Sequence, residues 1–172
     1  MVLVSSAFAQ QTRAPAAPRT AVKVETFATG LEHPWGLQFL PGGRLLVTER
    51  PGRLRVVSSE GVVSPPIAGV PKVSAAGQGG LLDVALAPDF AKTSEIYLSF
   101  AEPRDGGGNG TSVARGKLEL TDAGGHLSDV AVIFRQQPSY ASNHHFGSRI
   151  LFVDDATFFL TVGERFTLRD QA

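Results

Sequence analysis

The sequence contains no cysteine, which excludes disulfide staples and thiolate metal sites. It has no surplus charge of either sign: sixteen Lys and Arg residues face sixteen Asp and Glu residues, for a formal net charge of zero. No Lys or Arg block stands out, so nucleic acid and anionic membrane surfaces find no electrostatic footing. No apolar run approaches the roughly 20 residues of a membrane-spanning helix. Nor does any segment carry a 3.6-residue apolar stripe sustained over three turns, which removes the usual sign of an amphipathic helix. What remains is a chain that is 42% hydrophobic and 19% charged, a globular rather than disordered balance. Its 172 residues suffice for one domain with a core.

Residues 1–9 end in Ala7-Phe8-Ala9, a small-x-small pattern like a signal-peptidase site, and read as a signal-peptide remnant. That reading places the protein in the periplasm or outside the cell. Residues 10–21 are rich in Ala, Pro, Gln and Arg without apolar periodicity and read as a linker. Residues 22–172 form the structured part.

There the signals are β. Leu37 and Phe39 are separated from Leu45 and Val47 by Pro41-Gly42-Gly43, a hairpin turn. Strands at 54–57 and 62–63 complete a four-stranded meander. A second set runs through 81–86, 96–100, 112–118 and 130–134, with a flexible loop at Asp105–Gly110. A third opens with 149–153 and continues with 158–162. The sets resemble one another. Gly36, Gly80 and Gly147 each precede or open a strand, and the strand–turn–strand units that follow Gly36 and Gly147 end in Glu49 and Glu164. Repeated four-stranded antiparallel meanders are blades, so the expected fold is all-β, a partial β-propeller of about two and a half to three blades. A β-sandwich is the competing architecture. A chain of that many blades leaves an apolar blade face bare, so self-association or poor solubility is expected.

Asn143-His144-His145-Phe146-Gly147-Ser148-Arg149 is the stretch richest in chemistry. Imidazole suits proton abstraction near neutral pH. Adjacent His residues in extended chain point in opposite directions, so they make a poor shared metal site, and no set of zinc ligands accompanies them. Glu164 ends the strand that pairs with the His-bearing one, and antiparallel neighbours return to the same end of a sheet. His145 and Glu164 are therefore expected to meet, the carboxylate orienting the imidazole. Gln78 lies among Gly77, Gly79 and Gly80, a cluster that suggests close backbone approach but is not a phosphate loop.

Taken together, five ordered motifs resemble the glucose/sorbosone dehydrogenase family. They are residues 32–43, Thr48-Glu49-Arg50-Pro51-Gly52-Arg53-Leu54, residues 77–90, His145-Phe146-Gly147-Ser148-Arg149 and Gly163-Glu164-Arg165. The resemblance is closest to bacterial aldose sugar dehydrogenases that use pyrroloquinoline quinone (PQQ), and it covers the N-terminal part of such a protein. It implies a six-bladed propeller with PQQ and Ca²⁺ across the channel mouth. It also implies oxidation of an aldose at its C1 hydroxyl by hydride transfer to the quinone, with electrons passing to an external acceptor. Carried over residue by residue, His145 is the base and Glu164 its orienting acid. Gln78, His144 and Arg165 are expected at the cofactor. His144 stands where a related branch has an acid. The basic residues that grip the quinone, and most Ca²⁺ ligands, are expected outside these 172 residues, so the chain by itself is expected to bind neither tightly. A non-catalytic propeller fragment or a carbohydrate- or protein-binding module is the alternative.

Overall fold

The computed structural model describes residues 21–121 and 124–171. The signal remnant at 1–9 and nearly all of the linker at 10–21 lie outside them. Among the described residues, nine strands form three antiparallel sheets. The first contains β1 (Pro34–Phe39), β2 (Leu45–Glu49) and β3 (Arg53–Val57). The second is a four-stranded meander of β4 (Leu81–Leu86), β5 (Glu95–Pro103), β6 (Asn109–Thr121) and β7 (Gly124–Arg135). The third pairs β8 (Gly147–Phe152) with β9 (Phe158–Val162). A single helical turn, α1 (Phe90–Thr93), links β4 to β5, and a short 3₁₀ turn lies at Arg169–Gln171.

The sheets pack side by side through their first strands. β4 rests on β1 and β2, and β8 rests on β4 and β5. This is radial blade packing rather than two sheets stacked face to face, so the sandwich is set aside. The largest core cluster spans the first seam, with Leu46, Leu54 and Ile67 meeting Leu81, Val84 and Leu98. A smaller one spans the second, where Ile150 meets Ala85 and Val113 beside Tyr97, Phe152 and Phe158.

The inner strands share one device. The register shifts between Pro34 and Leu37 in β1, between Leu81 and Val84 in β4, and between Gly147 and Ile150 in β8. A bulge turns a backbone N–H and a carbonyl out of the ladder, where they need other partners. Hydroxyls on the second strands supply them. Thr48 Oγ1 accepts from Gly36 N at 2.8 Å and donates to the Leu82 carbonyl of the next sheet at 2.5 Å. Ser99 Oγ accepts from Asp83 N at 2.9 Å and donates to the Ser148 carbonyl of the third sheet at 2.6 Å. Each sheet is thus stitched to the next in a fixed register.

Three expectations from sequence need correction. Residues 62–63 do not form a fourth strand. They make one isolated bridge, Val57 to Val63, because Pro65 and Pro66 bring no N–H groups to a ladder. The Gly-rich loop is shorter than expected. Asn109 and Gly110 already pair with Pro103 and Glu102 in the β5–β6 ladder. The phase of the repeat also differs, since the equivalent positions set by the bulges are Pro34, Leu81 and Gly147 rather than Gly36, Gly80 and Gly147.

Candidate active site

His145 lies two residues before β8 and Glu164 two residues after β9, at the end of the sheet where Gly147 pairs with Val162. Two glycines let these segments touch. A Cβ on Gly163 would stand 2.1 Å from the His145 carbonyl oxygen, and one on Gly147 would stand 2.6 Å from that of Thr161. With the backbones this close, His145 Nδ1 and Glu164 Oε1 meet at 2.5 Å. A carboxylate only accepts hydrogen bonds, so Nδ1 carries the proton and Nε2 is left as the basic nitrogen. The hydrogen bond from His145 holds the Glu164 carboxyl below its ordinary value. Phe166 closes over the pair, with its ring edge-on to His145 at 5.2 Å. Replacing Gly163 with Ala is expected to push His145 and Glu164 apart. The check is the His145 ring resonances by NMR, which should lose their dependence on the residue at 164.

Gln78 explains its glycine neighbours. Its N–H donates to the Asn143 carbonyl at 2.8 Å, and its Oε1 accepts the His145 N–H at 2.9 Å. The close approach inferred from sequence is made to the chain itself, since a Cβ on Gly77 would stand 2.6 Å from the Asn143 carbonyl oxygen. Gln78 thereby fixes the backbone of His145, which has φ +47°, a conformation rare for a residue with a side chain.

Gln78 and His145 line one open cleft of about 520 Å³ together with Trp35, Arg50, Gly77, Leu82, Phe146 and Gly147. Arg50 reaches across it and donates to the Gly77 carbonyl. Sequence reasoning does not single out Arg50 and Trp35 as site residues, although both lie within the motifs that carry the resemblance.

Two residues expected at the cofactor, Arg165 and His144, do not line this cleft. Arg165 is 1% exposed, with its guanidinium turned inward. It donates to Asn109 Oδ1 at 2.5 Å, to the Ser142 carbonyl, and through Nε to the His144 carbonyl at 3.0 Å. It also stacks 4.0 Å over the Phe146 ring. Burial lowers its pKa. It staples the loop that carries His145 and does not reach the cleft. His144 sits outside the cleft lining, with its ring 5.5 Å from that of Phe166.

A cleft with a flat indole, a guanidinium and an amide suits a planar anionic ring system. Arg50 and Gln78 are the polar groups in place to meet it. Among the described residues, no group of three or more His, Cys, Asp or Glu side chains is arranged to hold a metal ion. No helix among them is long and apolar enough to cross a membrane.

Meander sheets packed as blades, with an imidazole–carboxylate pair opening on a cleft at one end, define part of a β-propeller with a candidate acid–base site. Residues 31–172 match the glucose/sorbosone dehydrogenase family, and the chain belongs to it. The aldose sugar dehydrogenase YliI of Escherichia coli is 45% identical over 150 residues, which cover 87% of this chain and 40% of that protein. A solved glucose dehydrogenase superposes with a TM-score of 0.77 at 51% identity, covering 83% of this chain and 41% of the other. The PQQ-bound aldose sugar dehydrogenase of Streptomyces coelicolor gives a TM-score of 0.72 at 34% identity, again covering 83% and 41%. The chain therefore spans about two fifths of the length of these relatives, and its fold is part of a β-propeller of the sugar-dehydrogenase type.

Proposed function

We propose that this chain carries the proton-abstracting part of a PQQ-dependent aldose dehydrogenase. The observation that supports it most is the 2.5 Å contact between His145 Nδ1 and Glu164 Oε1 at the edge of a cleft suited to a planar anion. His145 Nε2 takes the proton from the sugar C1 hydroxyl. Glu164 holds the ring in the required tautomer and stabilises the imidazolium that results. Gln78 keeps the His145 backbone in place, and Arg50 meets negative charge on the cofactor. When bound, the quinone supplies the hydride acceptor, and electrons leave to an external acceptor. Ca²⁺ accompanies the quinone on family grounds alone. His144 and Arg165 act on the loop rather than on the cofactor. Periplasmic or secreted placement rests on Ala7-Phe8-Ala9.

The reading is tested by a chimera in which residues 31–172 replace the matching part of the Escherichia coli aldose sugar dehydrogenase. Dye-linked oxidation of aldoses that depends on added PQQ is expected. A chimera that folds and binds PQQ yet oxidises no aldose would sink the proposal.

A further inference from the structure

The last residue of each bulge stands at an equivalent position on the three inner strands: Gly36 on β1, Asp83 on β4 and Arg149 on β8. Gly36 has no side chain, and a Cβ there would stand 3.0 Å from Asp83 Oδ1, so the glycine leaves room for the carboxylate. Asp83 is 1% exposed. Its Oδ1 accepts from Arg149 Nη1 at 2.7 Å and its Oδ2 from the Ile150 N–H at 2.8 Å. Burial pushes the Asp83 carboxyl up, against the pull of those two donors. One buried carboxylate thus holds both the backbone of β8 and the side chain next to it.

That ion pair does not use up Arg149. Its side chain remains 57% exposed, and its guanidinium carbon stands over the Trp35 ring, 5.0 Å from the centroid. Trp35 packs against the cluster of Leu82, Ala101 and Phe146. It also lines the cleft with Gln78 and His145, whereas Arg149 does not. The contacts from Asp83 through Arg149 to Trp35 therefore tie all three sheets together beside the cleft. An indole face carries partial negative charge, which disfavours an anion laid on it. A guanidinium over the same ring offsets that charge.

We propose, resting on the quinone reading above for the ligand, that Asp83 and Arg149 are positioning residues for the cofactor. Asp83 sets the Arg149 guanidinium, and Arg149 sets the Trp35 indole and tunes it to receive a planar anion.

Trp35 is the single tryptophan of the sequence, so the fluorescence of the 172-residue chain reports on it alone. Arg149→Met should shift its emission to the red and let acrylamide reach it more readily. That variant also takes one donor from the buried Asp83 carboxylate, so Arg149→Lys is measured beside it. Lysine keeps a cation for Asp83 but has no planar fork to pair with it and lie over a ring at once. The same red shift is expected there, at unchanged circular dichroism. In the chimera, PQQ titration should show affinity about fivefold weaker for either variant, the worth of a partly exposed cation–π contact. In a Trp35→Ala background the same substitutions should change affinity by less than about twofold, since residues that act through one another do not add. Neither readout needs aldose turnover, so both remain decisive in a chimera that binds PQQ but oxidises no aldose. Trp35 emission unmoved by Arg149→Lys overturns the proposal. So does a loss of affinity that recurs in full without Trp35, because Arg149 would then meet the quinone itself.

Discussion

Replacing His145 with Ala in the chimera is expected to lower the turnover of aldose oxidation by about 100- to 10,000-fold, the usual worth of a positioned general base. Quinone affinity should hold. The structure separates the two effects because Gln78 grips the His145 backbone N–H, not its ring. The Ala variant therefore keeps the loop, the cleft and Arg50. Glu164→Gln should cost less, about tenfold, since the amide oxygen can still accept from Nδ1 but no charge stabilises the imidazolium. The pH dependence of the pair has a definite sign. The Glu164 carboxyl is held below its ordinary value of 4.5 by the bond from His145. Its contribution is therefore complete above that value and is lost only as pH falls through the lowered one. Dye-linked rates and quinone titrations on the same preparations check all of this. Turnover within about threefold of the unchanged chimera after His145→Ala, far short of the loss a general base implies, would remove the imidazole from the chemistry.

The strands and the meeting of His145 with Glu164 are legible in the sequence because both rest on local rules: alternation, turn residues, and the return of an antiparallel neighbour to the same sheet end. The phase of the repeat is not. Glycine at 36, 80 and 147 suggests an alignment, yet the bulges that set the true one leave no fixed residue type, falling at Pro-Trp-Gly, Leu-Leu-Asp and Gly-Ser-Arg. That misphasing makes Glu49 look like the counterpart of Glu164. By register Glu49 is the counterpart of Phe100 and Val162, inside the strand rather than beyond it. Arg165 misleads for a related reason. A cation beside a site suggests an anion-binding role, and only the fold shows that Asn109, hidden at the start of β6, draws the guanidinium inward. Gln78 shows the converse, since its glycine setting does mean close approach, but to Asn143.

Glu49 carries the second large expected effect, on stability. Its side chain is fully buried. It accepts from Arg53 Nε at 2.6 Å, from Arg55 Nε at 3.0 Å and from the Glu32 N–H at 2.5 Å. Burial alone would raise its pKa, but those hydrogen bonds outweigh burial and hold it below the ordinary 4.5. Glu49→Leu removes the acceptor for all three donors and leaves two guanidinium groups facing an apolar side chain. Breaking a buried pair from one side is expected to lower unfolding free energy by about 3 kcal/mol. Urea titration at neutral pH and at a fixed low protein concentration measures it. A loss under about 1 kcal/mol would mean that Arg53 and Arg55 turn to solvent at little cost. The pH series adds a second reading. A carboxyl whose folded pKa is lowered stabilises the fold above its unfolded value and stops doing so as pH falls through the folded one. The stability gap between the unchanged chain and the Glu49→Leu variant should therefore narrow in acid, whereas a defect of packing alone would keep its size. The ion cluster at Glu49 tethers the segment before β1 to β2 and β3, beside the Arg50 side chain that lines the cleft. The same substitution is therefore expected to weaken anion binding there without touching His145.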